Sequence, residues 1–313
     1  MTDEVQASAA GPAPAPRPYR AGFVALVGRP NVGKSTLLNA ILGRKVAITT
    51  PKPQTTRNLI RGIYHLPEGQ IILVDTPGIH RPRTKLGERM VRSAESEMKD
   101  ADLLWHVVDL SRPPRPEDER VAALCRAVPV PAWLVGNKVD LVRDGPGAAA
   151  PYLALGSYPR HFLISAQSGL GLDALVAETL AALPEGYPYF PEDVVTDQPE
   201  DFYVAEVVRE KVLLFLAQEI PHSVAVVVEE RTRRSERLVY IRAAIVVERD
   251  SQKGIVIGEG GRMLRRIGEA ARLELEAYYG HAVYLDLWVK VRKRWRDQEE
   301  WLRRFGFSEP KRE

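Results

Sequence analysis

The sequence is poor in residues that stabilise a chain covalently or through metal clusters. Cys125 is the only cysteine among 313 residues, which excludes a disulfide framework and a cysteine zinc cluster within one chain. No apolar run approaches the roughly 20 residues that a membrane-spanning helix needs, so an integral membrane protein is excluded. No charged segment followed by an apolar stretch opens the chain, so we expect no secretion.

The remaining composition is typical of a globular protein. Hydrophobic residues make up 45% and charged residues 27%, which argues against disorder, collagen or coiled coil as the main architecture. The length fits roughly two domains of about 150 residues each. The net charge is +3, and residues 201–313 hold 22 Lys and Arg against 19 Asp and Glu, so the whole excess lies in the C-terminal third.

The hydropathy pattern divides the chain into four regions. Residues 1–20 are rich in alanine and proline and are predicted to be a disordered tail. In residues 21–183, apolar strands alternate with helices, which predicts an α/β domain with a mostly parallel sheet. Residues 184–200 carry prolines and acidic residues and are predicted to be a linker. Residues 201–313 are predicted to form a smaller α+β domain that ends in a basic helix.

The individual elements follow from the same pattern. In the first domain, the predicted strands are Ala21–Val27, Ile71–Val74, Leu103–Val108, Ala132–Val135 and His161–Ile164. The predicted helices there are Ser35–Leu42, Glu88–Lys99, Glu117–Ala127 and Leu172–Ala182. In the second domain we expect a helix at Phe202–Ala217 and two strands, Ser223–Glu230 and Leu238–Val247, joined by the charged turn RTRRSE. A short helix and a glycine-rich turn follow. The remaining expected elements are a longer helix from Arg262 to about Tyr278, a strand at Ala282–Val289 and a basic helix at Arg294–Arg304.

A glycine-rich loop, GRPNVGKS, lies between the first strand and the first helix. It fits GxxxxGK[ST], in which backbone N–H groups cradle phosphates at a helix N-terminus. We expect Lys34 to reach the β- and γ-phosphates of a nucleotide and Ser35 to bind Mg²⁺. A plain strand–helix turn is the alternative. The predicted phosphate-contacting residues are Gly28, Arg29, Pro30, Asn31, Val32, Gly33, Lys34, Ser35 and Thr36.

The sequence DTPG follows another apolar strand, 40 residues after Ser35. An acidic residue at the C-terminal end of a parallel strand lies where ligands bind in such sheets. We therefore expect Asp75 to hold Mg²⁺ through water and the Gly78 N–H to contact the γ-phosphate, although alone this sequence would indicate a turn. The nucleotide-contacting residues predicted here are Asp75, Thr76, Pro77, Gly78 and Ile79.

The sequence NKVD follows a third strand and predicts a guanine base. An ionised Asp140 can accept hydrogen bonds from guanine N1–H and the 2-amino group, whereas beside adenine the carboxylate would be buried unpaired. Lys138 can lie along the base plane, Asn137 can hold neighbouring loops, and the Ala166 N–H can donate to guanine O6. The predicted base-binding residues are Asn137, Lys138, Val139, Asp140, Ser165 and Ala166.

The C-terminal domain contains GEGG between two predicted helices. It fits GxxG, the loop with which KH domains clamp about four backbone nucleotides of RNA. The apolar spacing around it makes this assignment more specific, and a helix cap is the alternative. Glu259 weakens the attraction for phosphate, for which nearby arginines can compensate. The residues predicted to contact RNA here are Gly258, Glu259, Gly260, Gly261, Arg262, Arg265 and Arg266.

A second basic segment, KVRKRWR, follows at residues 290–296. Its cations can contact phosphates, and Trp295 can stack on a base. A solvated helix face is the alternative. The residues predicted to contact RNA here are Lys290, Arg292, Lys293 and Arg294.

Taken in order, GRPNVGKS, DTPG, NKVD and SAQ resemble the motifs of Ras-like, translation-factor-class GTPases. The sequences PKPQTTR and DTPGIH, together with the GxxG domain, narrow this resemblance to the bacterial Era family over about residues 21–307. The resemblance implies a Ras-like P-loop GTPase domain followed by a type II KH domain, with GTP or GDP and Mg²⁺ as ligands. It places switch I at about residues 45–57, where Thr56, in preference to Thr55, contacts the metal.

The resemblance also bears on hydrolysis. Many small GTPases orient water with a Gln just after the DTxG motif, but Ile79 stands there and cannot do so. Asn31 matches an Asn that helps to hold K⁺ in the arginine-finger position of related proteins, and a turn residue is the alternative. The expected catalytic residues are Asn31, Lys34, Thr56 and Gly78.

The sequence thus predicts a cytoplasmic, GTP-hydrolysing switch that binds RNA. The family resemblance implies that this RNA is the 3′ end of 16S rRNA, that a 30S subunit precursor is the partner, and that the processes are 16S rRNA processing and 30S assembly. A monomer and peripheral association with the cytoplasmic face of the cell membrane are further expectations. The alternatives are an RNA chaperone that uses GTP as a structural ligand, and a GTPase that acts on another RNA or at the membrane.

Overall fold

A computed structural model describes residues 18–216 and 223–307 of the chain. The first region alternates strands and helices. Its elements are β1 (Arg20–Val27), α1 (Lys34–Leu42), β2 (Ile60–Leu66), β3 (Gly69–Asp75), α2 (Lys85–Asp100), β4 (Leu103–Asp109), α3 (Pro116–Ala127), β5 (Ala132–Asn137), α4 (Gly145–Leu153), β6 (His161–Leu163) and α5 (Leu172–Ala182).

These strands form one sheet in the order β2-β3-β1-β4-β5-β6. All neighbouring strands are parallel except β2, which runs antiparallel to β3. Alternate residues of β1 and β4 pack into different clusters, because successive side chains of a strand point to opposite faces. Leu26 and Trp105 belong to one cluster, whereas Ala25 and Leu104 belong to another. The sheet is therefore covered on both faces, and the carboxyl ends of β1, β3, β4 and β5 meet at one edge.

The predicted strands and helices of this region are confirmed to within a few residues, but β2 and α4 are missing from the sequence prediction. Strand β2 lies at the sheet edge and carries polar side chains such as Arg61 and His65, so it lacks a continuous apolar run. Helix α4 contains Gly147 and Pro151, which argue against a helix. It forms because the Asp144 side chain caps its first turn and because it buries Tyr152.

The second region is an α+β domain. Its elements are α6 (Glu200–Phe215), β7 (Ala225–Ser235), β8 (Leu238–Val247), α7 (Asp250–Ile257), α8 (Arg262–Tyr279), β9 (Ala282–Val291) and α9 (Glu299–Arg304). In its sheet, β8 pairs with β7 antiparallel and with β9 parallel. Helices α6 and α8 cover one face through a core that includes Val208, Ile241, Ile267 and Leu275.

Two predictions for the second region are wrong. The charged segment RTRRSE is not a turn, because β7 continues to Ser235 and pairs with β8 beyond a bulge near Val228. Exposed charged residues on both faces hide this strand from an apolar-pattern search. The segment Arg294–Arg304 is not one basic helix either. Arg294 has a φ of 50°, a short turn follows at Trp295–Asp297, and only Glu299–Arg304 is α-helical.

The segment predicted as a linker, residues 184–200, lies along the edge strand β2. The Ile63 N–H donates to the Val195 carbonyl at 2.8 Å. The buried amide of Gln70 bonds the backbone of Tyr189 and Phe190 at 2.8–3.1 Å. The segment therefore covers backbone groups that an edge strand would otherwise expose.

The predicted disordered tail, residues 1–20, lies outside the described residues except for its last three, and Arg20 is already part of β1. The last residue of the predicted helix Phe202–Ala217 also lies outside them. Within residues 18–216 and 223–307, no helix is both long enough and apolar enough to cross a membrane.

Candidate nucleotide site and RNA-binding loop

The glycine-rich loop turns tightly between β1 and α1. A Cβ placed at Gly28 would lie 2.4 Å from the Val107 carbonyl oxygen, so the loop packs directly on β4. Lys34 is buried and folds back over the loop, where Nζ lies 3.3 Å from the Gly28 carbonyl oxygen and 3.4 Å from that of Arg29. Burial lowers the pKa of Lys34, and the nearby Asp75 opposes this shift. The loop thus presents one desolvated ammonium group where a phosphate would enter.

Ser35, Thr56 and Asp75 meet beside this loop. The Ser35 hydroxyl donates to Asp75 Oδ2 at 2.5 Å, Thr56 Oγ1 lies 3.2 Å from the same oxygen, and the two hydroxyls are 2.8 Å apart. Asp75 is fully buried, and its Oδ1 has no hydrogen-bond partner in the described part of the chain. Burial raises the pKa of Asp75, against the charge of Lys34. Hydroxyl and carboxylate oxygens are the ligands that Mg²⁺ prefers, so this set fits Mg²⁺.

The two threonines of switch I, Thr55 and Thr56, have different hydrogen-bond partners. Thr55 turns away from Asp75, because its hydroxyl lies 2.7 Å from Thr50 Oγ1 and donates to the Lys52 carbonyl at 2.8 Å. Only Thr56 reaches Ser35 and Asp75. The structure therefore places Thr56, the residue preferred from the sequence, at the candidate metal site.

Asn31, Gly78 and Ile79 lie around the same pocket. Asn31 has a left-handed φ of 66°, and its Nδ2 donates to the Pro51 carbonyl at 2.9 Å. A Cβ at Gly78 would lie 2.7 Å from the Pro30 nitrogen, so the DTPG segment contacts the glycine-rich loop. The Ile79 side chain is completely buried, and it packs with Ala94 and Met98 of α2. Ile79 thus points into the core.

Asn137 connects the phosphate loop to the two loops that are predicted to hold the base. Its Nδ2 donates to the Val32 carbonyl at 2.9 Å, and its Oδ1 accepts from the Ala166 N–H at 2.9 Å and the Lys138 N–H at 2.8 Å. Lys138 has a left-handed φ of 66° and reaches back to the Asn31 carbonyl at 3.1 Å. Asp140 is exposed at the adjacent turn. One amide side chain therefore fixes the phosphate loop and both base loops relative to one another.

The other predicted nucleotide residues have mainly structural contacts. The Arg29 side chain is buried against Asp118, with Nε 3.1 Å from Oδ2, so only its backbone faces the phosphate loop. Thr76 Oγ1 donates to the Leu26 carbonyl at 2.7 Å. Ser165 is buried and its Oγ accepts from the Ser168 N–H at 3.2 Å. Thr36 lies in the first turn of α1, Pro77 in the DTPG segment after β3, and Val139 in the short turn that follows Lys138.

Asp109 is a residue that the motif search missed. It ends β4, and its Oδ2 accepts from Lys138 Nζ at 2.7 Å. Burial raises the pKa of Asp109, but hydrogen bonds from Lys138 and Ser111 outweigh this effect and lower it overall. Asp109 therefore orients the lysine of NKVD. An acid at the end of a predicted strand is the signal that could have identified it.

The GxxG loop of the second domain is open to solvent. Gly260 and Gly261 have φ values of 60° and 78°, and a Cβ at either would meet nothing within 4 Å. The exposed Glu259 forms an ion pair with Arg262. Arg262 was expected to offset the negative charge of Glu259 toward RNA phosphate, but its own charge is engaged by this pair. Arg265 and Arg266 are exposed, and the Arg266 guanidinium lies 4.3 Å from the Phe215 ring centre.

The segment KVRKRWR differs from both interpretations of its sequence. Trp295 is completely buried and its Nε1 donates to the Ser223 carbonyl at 2.8 Å, so the prediction that it stacks on a base is wrong. A solvated helix face is wrong too, because the segment is the end of β9 followed by a turn. The tryptophan is buried because it packs with Met90, Leu302 and Phe307 between the two domains.

The four cations predicted here to contact RNA differ in their contacts and exposure. Lys290 forms an ion pair with Glu229, and the Arg292 guanidinium lies 4.9 Å from the Trp301 ring centre. Lys293 and Arg294 are exposed. Of these four cations, only Lys293 and Arg294 therefore have exposed side chains.

The fold and these two sites define a P-loop GTPase joined to a type II KH domain. The sequence model of the family described as "50S ribosome-binding GTPase" matches residues 23–138, and the KH domain model matches residues 219–296. GTPase Era of Carboxydothermus hydrogenoformans is 48% identical over 294 residues, which are 93% of this chain and 99% of that protein. GTPase Era of Caldanaerobacter subterraneus is 49% identical over 93% of this chain and 98% of that protein.

Solved structures agree with this result. A crystal structure of Era in complex with MgGDPNP and nucleotides 1506–1542 of 16S ribosomal RNA is similar with a TM-score of 0.87 and 40% identity, over 93% of this chain and 99% of that one. A single-residue variant of Aquifex aeolicus Era bound to GDP·AlF4⁻ gives a TM-score of 0.88 at 40% identity, over 92% of this chain and 99% of that one. The chain belongs to the Era family of GTPases.

Proposed function

We propose that this GTPase binds the 3′ end of 16S rRNA through its KH domain, and that it acts as a GTP-dependent switch in 16S rRNA processing and 30S subunit assembly. The observation that carries the proposal is the pairing of two sites in one chain. Ser35, Thr56 and Asp75 form an oxygen-lined site beside Lys34. The Gly258–Gly261 loop, which is open at Gly260 and Gly261, lies in the second domain. A related Era structure contains both MgGDPNP and 16S rRNA.

In the nucleotide site, each proposed role follows from a position. Lys34 neutralises the β- and γ-phosphates, and Ser35, Thr56 and Asp75 hold Mg²⁺. When bound, Mg²⁺ supplies charge neutralisation between the β- and γ-phosphate oxygens. A divalent cation also favours the ionised form of Asp75, whose pKa burial raises.

Guanine specificity is assigned to Asp140, whose exposed carboxylate is free to accept from the N1–H and 2-amino groups. Lys138 is already oriented by Asp109 along the side of the pocket. The Ala166 N–H donates to Asn137 Oδ1, so it would share its hydrogen with guanine O6.

Hydrolysis is the attack of water on the γ-phosphorus, catalysed chiefly by positioning and charge stabilisation. The buried Ile79 takes no part in orienting water. We assign the γ-phosphate contact to the Gly78 N–H. Because Asn31 Nδ2 is engaged with Pro51, its Oδ1 is the atom left to hold a K⁺ near the phosphates.

The RNA contact is assigned to the backbone of the GxxG loop, with Arg265, Lys293 and Arg294 as exposed cations. We further propose that the protein is a cytoplasmic monomer that acts on a 30S precursor. Peripheral membrane association is less well supported, since α9 has six residues and begins with Glu299 and Glu300.

The test combines turnover with RNA binding. Multiple-turnover phosphate release from GTP is measured with and without an RNA of the sequence 1506–1542 of 16S rRNA, and with a shuffled RNA of equal length. The proposal predicts selective, saturable binding of the first RNA in the GTP-analogue state. Equal binding of both RNAs would contradict the 16S assignment and leave the GTPase in place.

A further inference from the structure

Helix α6 of the KH domain contacts the switch I loop through a buried arginine. Arg209 is 3% exposed. Its Nε donates to Glu206 Oε1 at 2.6 Å, and Nη2 donates both to Glu206 Oε2 and to the Thr55 carbonyl oxygen, each at 2.5 Å. The fork geometry of a guanidinium fixes the direction of the remaining donor once two nitrogens are held by one carboxylate. Arg209 therefore sets the orientation of the Thr55–Thr56 peptide.

That peptide precedes the side chain that completes the oxygen-lined site. Thr56 Oγ1 reaches Ser35 Oγ and Asp75 Oδ2 from the next residue along the chain. A rotation of the Thr55–Thr56 peptide would move this hydroxyl, because the carbonyl of Thr55 and the Thr56 Cα share one plane. The position of Thr56 is thus coupled to a residue of the other domain.

The same helix holds the other end of the loop. Glu210 Oε1 accepts from the Thr49 N–H at 3.0 Å, and its Oε2 lies 2.6 Å from Lys45 Nζ. Arg57, next to Thr56, is also buried and donates to the Val224 carbonyl at 2.6 Å. Loop 49–55 is therefore held at both ends by the KH domain.

We propose that Arg209 is a positioning residue for GTP hydrolysis: it acts in cis from the KH domain by holding the Thr55 carbonyl so that Thr56 faces the metal site. This inference rests on the proposed role of Thr56 at Mg²⁺. The nucleotide site of the GTPase domain is then complete only when α6 is docked on switch I.

The test uses the full chain with Arg209→Gln and, as a more conservative change, Arg209→Lys. Single-turnover hydrolysis of Mg·GTP and the affinities for fluorescent GDP and GTP analogues are measured together with thermal unfolding. Arg209→Gln removes the charge-assisted hydrogen bond to the Thr55 carbonyl together with the two to Glu206. The loss of the first is expected to slow hydrolysis about tenfold or more, with GDP affinity unchanged. Arg209→Lys, which keeps the charge without the fork, should fall between this variant and wild type.

The matched control is Arg231→Gln. Arg231 pairs with Glu200 and Asp201 at the start of the same helix but does not touch the switch loop. It should leave hydrolysis unchanged. Wild-type hydrolysis in Arg209→Gln would overturn the inference. An equal loss of GDP affinity and of hydrolysis in Arg209→Gln and Arg231→Gln would also overturn it, because that result indicates general destabilisation of α6.

A double-mutant cycle separates this inference from the role of Thr56. If Arg209 acts through Thr56, then Thr56→Ala combined with Arg209→Gln should be no slower than Thr56→Ala alone. If Thr56→Ala itself leaves Mg²⁺-dependent hydrolysis intact, the proposed role of Thr56 fails. If Thr56→Ala is slow and the two effects multiply, only the role of Arg209 fails.

Discussion

The two glycine loops of this protein use glycine for different physical reasons. In the phosphate loop a Cβ would collide with protein: at Gly33 it would lie 2.3 Å from Asn137 Nδ2. In the KH loop, a Cβ at Gly260 would meet nothing within 4 Å, although φ is 60°. The first loop is packed against its own domain, whereas the second leaves open space at Gly260 and Gly261. The left-handed φ accounts for glycine at these positions, and the missing side chains leave the backbone accessible to a ligand.

The substitution that should change base specificity, Asp140→Asn, has the largest expected effect. Asp140→Asn replaces two acceptors with one acceptor and one donor, which suits xanthine better than guanine. The preference for GTP over XTP should shift by roughly 3 kcal/mol or more, because two hydrogen bonds to a charged group are altered. Competition binding measures this shift. An unchanged preference would remove the base contact from Asp140.

A negative charge in the open GxxG loop should weaken RNA binding. Gly260→Asp places a side chain and a negative charge where an RNA phosphate must approach, and should cost about 2 kcal/mol or more of affinity for the 16S 3′-end RNA. GTP affinity should stay unchanged. Gly280→Asp is the control, since it has a φ of 71° and equally open space at the other end of α8.

Equal RNA losses in Gly260→Asp and Gly280→Asp would assign the effect to backbone strain in α8 and its caps. A loss confined to Gly260→Asp supports the clamp. Full RNA affinity in Gly260→Asp would contradict the GxxG assignment.

The buried nucleotide site should also respond to pH. Burial raises the pKa of Asp75, and Mg²⁺ binding needs the ionised form. Mg²⁺ affinity should therefore fall as the pH drops through this raised pKa, by at most about tenfold per pH unit, and level off above it. Mg²⁺ titrations of GTP-analogue binding at a series of pH values upward from the ordinary Asp pKa of about 4 measure this effect.

Asp75→Asn is the control for that titration. The nucleotide phosphates titrate in both proteins, so the difference between the two profiles isolates Asp75. Identical profile shapes would show that Asp75 is not the titrating group.

The smallest expected effect concerns K⁺. If Asn31 Oδ1 holds K⁺, wild-type turnover should be severalfold faster in K⁺ than in Na⁺ at equal ionic strength. Asn31→Ala should abolish this difference, and Asn31→Asp, which keeps an oxygen and tolerates the left-handed φ, should retain part of it. Equal rates in both salts would leave Asn31 as a turn residue bonded to Pro51.

The sequence patterns predicted the nucleotide site of the first domain better than they predicted the structure of the second domain. Asp75 and Asn137 end apolar strands, and Lys34 follows the glycine-rich loop after β1, so strand ends and motifs identify them together. The edge strand β2 and helix α4 lack such patterns and form through tertiary contacts. Trp295 was misassigned because its basic neighbours suggested a surface, whereas its ring completes a core between domains.

The contact between Arg209 and Thr55 could not be predicted from the sequence at all. It joins residues 154 positions apart across two domains, and no local spacing encodes it. The same holds for Arg89 of α2, which bonds the Phe307 carbonyl and Glu299 beyond the KH sheet. Switch I and helix α2 of the GTPase domain thus both contact the C-terminal domain.

The nucleotide site and the GxxG loop should act together as one switch. The most direct test is titration of the 16S 3′-end RNA into the full chain loaded with a GTP analogue and, separately, with GDP. We expect different RNA affinities in the two states, and the RNA must then shift the preference for GTP over GDP by the same factor, because linkage is reciprocal. Identical RNA affinity in both nucleotide states would contradict the switch.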